Sequence, residues 1–241
     1  MSGLENRVAI VTGGGTGIGE GIAWSFAKAG ARVTICGRRL SALENSREKA
    51  LSEGIELSIF AADVSEPAQA HALVESVIAR DGRIDILVNN AGIGGGEFIH
   101  AHSPDEWDTI IAVNLRGPFL MARNVLPYFR AQASGHILNI SSESALHHYP
   151  GDGAYGVSKH ALNALSEYIQ HENQDHGVRV DTICPGMVVT EMTKGSPGLN
   201  EDRCLLPEDI ADLSLWLVTR RPNVKIGTPV LIQTMLNPWE S

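Results

Sequence analysis

Tyr155 and Lys159 stand four positions apart, a spacing that stacks a phenol and an ammonium on one helix face if the chain is helical from Ala154 onward. A cation so placed favours the phenolate, bringing the pKa of ~10 for a free tyrosine toward the range where the group exchanges protons near neutrality. Ser142 precedes a Gly/Pro-rich loop and follows the apolar run 136–140, which reads as a strand end. Its hydroxyl could therefore hydrogen-bond the same substrate oxygen that Tyr155 protonates. A Tyr-x-x-x-Lys pair is also common on a solvated helix surface, so its meaning depends on the elements around it.

Those elements alternate: short apolar runs, then longer stretches with helical periodicity, the pattern of an α/β chain. The runs 8–11, 32–35, 57–60, 84–88, 136–140, 178–183 and 229–232 read as buried, mostly parallel strands. With 241 residues, 43% hydrophobic and 20% charged, residues 1–241 suit one large domain.

The first turn, Thr12-Gly13-Gly14-Gly15-Thr16-Gly17-Ile18-Gly19, lies directly after a strand and before the helical run 22–29. Glycines in that setting let a backbone approach a pyrophosphate, whose charge a helix N-terminus favours. About 20 residues later a dinucleotide-binding unit presents a group to the adenosine ribose. Here that place holds Cys36-Gly37-Arg38-Arg39. No carboxylate is present to accept from a 2′-hydroxyl, whereas a guanidinium grips a 2′-phosphate, so the arginines point to NADP(H), or else lie on a solvated loop. Asp63, before Val64, either bonds the adenine amine or caps the helix ahead of Pro67. Asn89-Asn90-Ala91-Gly92 follows the fourth strand at the sheet edge where doubly wound folds bind ligands, with Asn89 structural or cofactor-lining. Asn114 interrupts the helical pattern 107–129; it kinks the helix around a bound water or faces solvent.

A net charge of -9 and the absence of a Lys/Arg-rich run speak against nucleic acid and anionic membranes as partners and leave small molecules. Cys36, Cys184 and Cys204 lack metal-ligand spacing, so no metal site or disulfide framework is expected, and a reducing cytoplasm fits. No basic-then-apolar N-terminal segment and no run of ~18 apolar residues mark export or a membrane span.

Thr12-Gly13-x-x-x-Gly17-Ile18-Gly19, Asn89-Asn90-Ala91-Gly92, Asn114, Ser142, Tyr155-x-x-x-Lys159 and Pro185-Gly186 occur in order over nearly the whole chain. Together they resemble the short-chain dehydrogenase/reductase family. The resemblance implies a Rossmann-like doubly wound parallel sheet of about seven strands and hydride transfer at nicotinamide C4. It also implies roles: Tyr155 as general acid/base, Lys159 lowering its pKa and holding the nicotinamide ribose, Ser142 orienting the substrate oxygen, and Asn114 holding a water. Gly13, Gly17, Ile18 and Gly19 would face the pyrophosphate, with Gly37, Arg38 and Arg39 at the 2′-phosphate. Asp63 and Val64 would contact adenine, Asn90 with Ala91 and Gly92 the adjoining ribose, and Pro185, Gly186, Val188 and Thr190 the nicotinamide amide and phosphate.

Two features depart from the commonest family pattern: the segment 190–207, often a helical substrate lid, is short, and the region 223–241 lacks the frequent Asp-Gly-Gly ending. The loop between Ser142 and Tyr155 carries Glu143, His147, His148 and Tyr149. If two of these line the pocket, with Glu143, His148 and Tyr149 the foremost candidates, a small polar hydroxy compound or aldehyde suits it; otherwise the loop is simply solvated. Apolar positions Leu115, Phe119, Val125 and Phe129 on one helix and Ala161, Leu162, Leu165 and Ile169 on another exceed one core stripe, pointing to a homo-oligomer, for which the resemblance implies a tetramer or dimer. The leading expectation is an NADP(H)-dependent oxidoreductase on alcohols and carbonyls. The alternatives are a nucleotide-sensing module without catalysis, or a lyase or dehalogenase that abandoned the dinucleotide.

Overall fold

The structure, a computed structural model, describes residues 3–227 and 229–239. Seven strands are present: β1 (Val8–Thr12), β2 (Arg32–Gly37), β3 (Leu57–Ala61), β4 (Ile86–Asn89), β5 (Gly135–Ile140), β6 (Val178–Pro185) and β7 (Val230–Ile232). They form one sheet in the order β3-β2-β1-β4-β5-β6-β7, and every pair is parallel. The expected strands appear with ends shifted slightly, the fourth starting at Ile86 and the last at Val230. The helices are α1 (Gly17–Lys28), α2 (Leu40–Ser52), α3 (Pro67–Asp81), α4 (Pro104–Ile111), α5 (Gly117–Gln132), α6 (Gly153–Asn173) and α7 (Pro207–Val218).

Because strand side chains alternate faces, β1 feeds two cores. Ala9 and Val11 join Ile22 and Phe26 of α1, Leu43 of α2 and Leu217 of α7 on one face. Val8 and Ile10 join Leu73 and Val77 of α3, Val125 and Phe129 of α5 and Ile169 of α6 on the other. A sheet covered on both faces has strands that are apolar throughout, which is why VAIVT is wholly buried. The double covering also absorbs four positions read as surface surplus: Val125, Phe129, Leu162 and Ile169 are core. On that helix pair Phe119, Val157 and Tyr168 are the large apolar side chains left exposed.

β1 pairs with β2 on one side and β4 on the other, with Val11 level with both Ile35 and Val88. The loops leaving β1 and β4 therefore diverge from one point on the carboxyl edge, the place where doubly wound sheets bind ligands.

Toward the other edge, Arg179 of β6 donates to the carbonyls of Leu217, Arg220, Arg221 and Val224, fastening the end of α7. The same guanidinium donates to His136 Nδ1 at 3.0 Å, so the Nε2–H of a neutral imidazole donates to Asp181 at 2.8 Å. Burial holds the His136 pKa below its usual value, and the Arg179 charge acts in the same direction against Asp181. A histidine whose folded pKa is depressed adds stability that is present above the unfolded pKa of ~6.5 and is lost as the pH falls through the folded pKa. His136→Gln, which cannot titrate, should lose less melting temperature than wild type between neutral pH and a pH of about 5, measured by thermal denaturation. Equal losses would place the proton uptake elsewhere.

Candidate active site

A cleft of about 670 Å³ opens at the carboxyl edge beside β1 and β4, within the ~300–1,000 Å³ range of ligand sites. Its floor is the first glycine turn. Gly13 and Gly17 have φ of 65° and 56°, which side chains rarely tolerate. A Cβ on Gly13 would lie 2.8 Å from Asn90 Nδ2. Asn90 causes that closeness: its side-chain amide donates to the carbonyls of Thr12 at 3.0 Å and Gly13 at 3.1 Å. In return the Thr12 hydroxyl accepts from the backbone N–H of Asn90 and of Ala91 and donates to the Val88 carbonyl. α1 starts at the cleft wall, where Gly17 and Ile18 line it, and Thr16 makes no side-chain cap. Its first N–H groups thus present a partial positive charge where an anion is expected. Gly19 differs from the expectation: it is not in the wall, and a Cβ there would meet the Gly13 carbonyl at 2.3 Å. It is a close-packing glycine. Gly15 and Thr16, not singled out from sequence, do line the cleft.

One end of the cleft is lined by Gly37, Arg38, Arg39, Asp63 and Val64. Asp63 does not cap α3, whose N-cap is Glu66; its carboxylate accepts from Ser65 N and Oγ at 2.9 and 2.6 Å, shaping the turn while remaining at the wall. Arg39 pairs with Glu191 at 2.7 Å across the mouth, both side chains exposed. Nothing in the sequence signals that pair, because its members are 152 positions apart. Asn89 lies outside the cleft lining and donates to Asn139 at 2.9 Å, tying β4 to β5 as the structural reading has it.

Tyr155, Lys159 and Ser142 meet farther along, flanked by Ala91 and Gly92. α6 carries the first two on one face, with Lys159 Nζ 5.6 Å from the centre of the Tyr155 ring. Nζ donates to the Ile140 carbonyl at 2.9 Å, and burial lowers the Lys159 pKa to about 8. The expected lowering of Tyr155 by Lys159 is not what the geometry produces. Burial pushes the Tyr155 phenol up; a hydrogen bond from Ser142 opposes this, while the charges of Asp152, Cys184 and Glu143 add to it. The ammonium lies over the ring and is tied to the end of β5.

Asn114 is completely buried, which excludes the solvent-facing reading. Its side chain accepts from Ile93 N–H and donates to the Ile93 carbonyl and the Ser158 hydroxyl at 2.9, 2.9 and 3.1 Å. The chain is π-helical over Ala112–Arg116, between α4 and α5. Pro118 supplies the reason: it has no N–H for the carbonyl of Asn114 four residues earlier, so the ordinary ladder cannot continue. A proline four residues after a helical Asn is the sequence signal that would have located this break.

Pro185, Gly186, Val188 and Thr190 line the far wall. The segment beyond them is held by a bridge between Val188 and Leu205 and carries a short 3-10 turn, Glu201–Arg203. Of the three substrate candidates only Glu143 reaches the cleft. His148 stacks on His160 at 5.3 Å and Tyr149 is 45% exposed, because the loop turns outward after the 3-10 turn Glu143–Ala145. Met187, Met192 and Asp152 take their place.

The family model for short chain dehydrogenase matches residues 7–198. An uncharacterised oxidoreductase of Staphylococcus epidermidis is 34% identical, the match covering 94% of this chain and 97% of the relative. A metagenomic short-chain oxidoreductase crystallised in complex with NADP superposes with a TM-score of 0.85 at 36% identity, covering 97% of this chain and 99% of that one. The alcohol dehydrogenase of Thermococcus sibiricus complexed with 5-hydroxy-NADP gives a TM-score of 0.87 at 28% identity over 98% of each chain. Among the described residues no helix is long and apolar enough to cross a membrane.

Asn114→Ala removes three hydrogen bonds and strands the Ile93 backbone groups. It should cost about 2–4 kcal/mol in urea denaturation, where leaving a single buried group unpaired costs ~1–3 kcal/mol. A cost under ~0.5 kcal/mol, the figure for an ordinary surface site, would contradict the anchoring role.

Proposed function

The chain belongs to the short-chain dehydrogenase/reductase family, and we propose that within it this protein is an NADP(H)-dependent oxidoreductase interconverting an alcohol with a ketone or aldehyde. One observation carries the reading: Tyr155, Ser142 and Lys159 converge in a cleft whose other end is lined by Arg38 and Arg39 with no carboxylate at the close of β2. The cleft fits a dinucleotide phosphate. The backbone at Gly13 and Gly17 leaves room only a glycine allows, the start of α1 favours an anion, and Arg38 and Arg39 suit a 2′-phosphate. Asp63 and Val64 would border adenine. The dinucleotide, when bound, supplies or accepts the hydride at the carbonyl carbon.

The protein's own groups manage the oxygen. In reduction Tyr155 gives its proton to the carbonyl oxygen as that oxygen gains charge, and in oxidation the phenolate takes the proton back. A raised pKa keeps the phenol protonated at neutral pH, the form reduction needs, so oxidation should speed up as the pH rises. Ser142 donates to the same oxygen and fixes its position. Lys159, with a pKa of about 8, is still mostly charged at neutral pH. Its ammonium approaches to 3.5 Å of the place a Cβ on Gly92 would occupy, where a ribose would lie. The carbonyl of Asn114, deprived of the ordinary helical donor by Pro118, would hold the relay water, since the side chain is fully committed. Residues 1–241 act as one NAD(P)-binding domain, and three free cysteines support a cytoplasmic setting. A homo-oligomer would use the face carrying Phe119, Val157 and Tyr168.

Mixing the protein with NADPH and a panel of carbonyls while following NADPH absorbance tests the reading. Tyr155→Phe should lower kcat by about 10²–10⁴ with NADPH affinity nearly intact, because the proton is needed only as charge develops. Retention of more than about half of wild-type kcat would remove Tyr155 from the role. Arg38→Asp should reverse or strongly narrow the preference for NADPH over NADH, read as the ratio of kcat/KM. Equal use of both cofactors by wild type, unchanged in the variant, would refute the 2′-phosphate assignment.

A further inference from the structure

The reacting end of the cleft is walled by carboxylates. Glu143 follows Ser142 directly and is half-buried at the wall. Its Oε2 accepts from the side-chain amide of Gln233, just beyond β7. Gly186 closes the space behind it, since a Cβ there would lie 3.2 Å from both Glu143 Oε2 and Gln233 Cγ. Asp152, at the N-cap of α6 and also in the wall, accepts from the Ser144 hydroxyl at 3.1 Å. A third carboxylate, Glu106, packs behind Gly95. Among the described residues neither Glu143 nor Asp152 is ion-paired.

The cations lining the cleft are Arg38 and Arg39, at the opposite end, and Lys159, whose ammonium donates to Ile140. The wall beside the reacting oxygen therefore carries two negative charges that hydrogen bonds hold in place and no ion pair neutralises, against the single buried ammonium of Lys159 behind Tyr155. In a cleft less polarisable than water such charges favour a positive ligand group and repel a negative one. Both raise the Tyr155 pKa through space, along with the Cys184 thiol, so their field reaches the atom where the proton moves.

We propose, resting on the oxidoreductase reading above, that Glu143 together with Asp152 selects substrates bearing a protonated amine next to the reacting carbon, amino ketones and amino alcohols, and rejects those bearing a carboxylate there. Gln233 is the positioning residue that holds Glu143.

Aminoacetone, hydroxyacetone and pyruvate are methyl ketones of similar size that differ in charge. Wild type should reduce them with kcat/KM falling in that order. Glu143→Gln should cut the aminoacetone-to-pyruvate ratio about tenfold, as expected for removing one partly screened charge. Hydroxyacetone or pyruvate outrunning aminoacetone in wild type, or a ratio indifferent to the substitution, overturns the proposal. The pH profile for oxidation of 1-amino-2-propanol supplies a second reading. Loss of the Glu143 charge lowers the Tyr155 pKa, so the rise in rate should begin at lower pH in the variant than in wild type. If none of the ketones is reduced, the oxidoreductase reading is what fails, and binding decides the charge selection. With NADP⁺ present, tighter binding of 1-amino-2-propanol than of lactate, with the gap narrowed by Glu143→Gln, upholds it; equal binding ends it.

Discussion

Thr12 and Asn90 fasten together the two loops that diverge from β1 and β4, and the cleft takes its shape from that clamp. One threonine hydroxyl serves three backbone groups, and one asparagine amide serves two carbonyls of the glycine turn. The turn is thereby held so close to the second loop that a methyl group at position 13 or 19 would collide with it. The start of α1 is aimed by the same bonds. The chain's connections reverse direction at β1, so beyond the strand ends the loops leaving β1 and β4 part, and only side-chain bonds such as these join them there.

The reacting groups depend on a second restraint, burial against strand ends and a broken helix. Lys159 spends one N–H on the last residue of β5, which sets its place at the Tyr155 ring. Asn114 is locked to Ile93 and Ser158 from within the π-helical segment, joining the loop after β4 to α6. Burial pushes the Tyr155 phenol up, opposite to the shift expected from a neighbouring cation. The acidity of the phenol depends on charges elsewhere in the cleft wall, Asp152 and Glu143 among them.

Charge is divided along the cleft. Arg38 and Arg39 line the end suited to a dinucleotide phosphate, beside Asp63, and Glu143 and Asp152 line the end that holds Tyr155, beside Lys159. On the proposed reading, this arrangement would put attraction for an anionic cofactor and for a cationic substrate at opposite ends of one cavity. Arg39 complicates it by pairing with Glu191 across the mouth, an exposed bond worth little energy that links the loops after β2 and β6.

Seven apolar runs and their alternation with helical stretches were enough to specify a parallel α/β sheet, since strands covered on both faces must be apolar throughout. The order of motifs along the chain likewise singled out the glycine turn, Asn90, Ser142, Tyr155 and Lys159, which the fold gathers at one cleft, because each depends on local spacing. What spacing could not reveal was the balance of environments. The direction of the Tyr155 shift follows from how deeply the phenol is buried, a sum over many distant neighbours. The outward turn of His148 and Tyr149, the commitment of Val125 and Phe129 to the core, and the approach of Gln233 to Glu143 across 90 positions depend on which surfaces meet when helices dock on the sheet. Local pattern reports what a segment becomes; only packing between segments sets what each side chain faces, and with it the charge, solvation and reach that govern its chemistry.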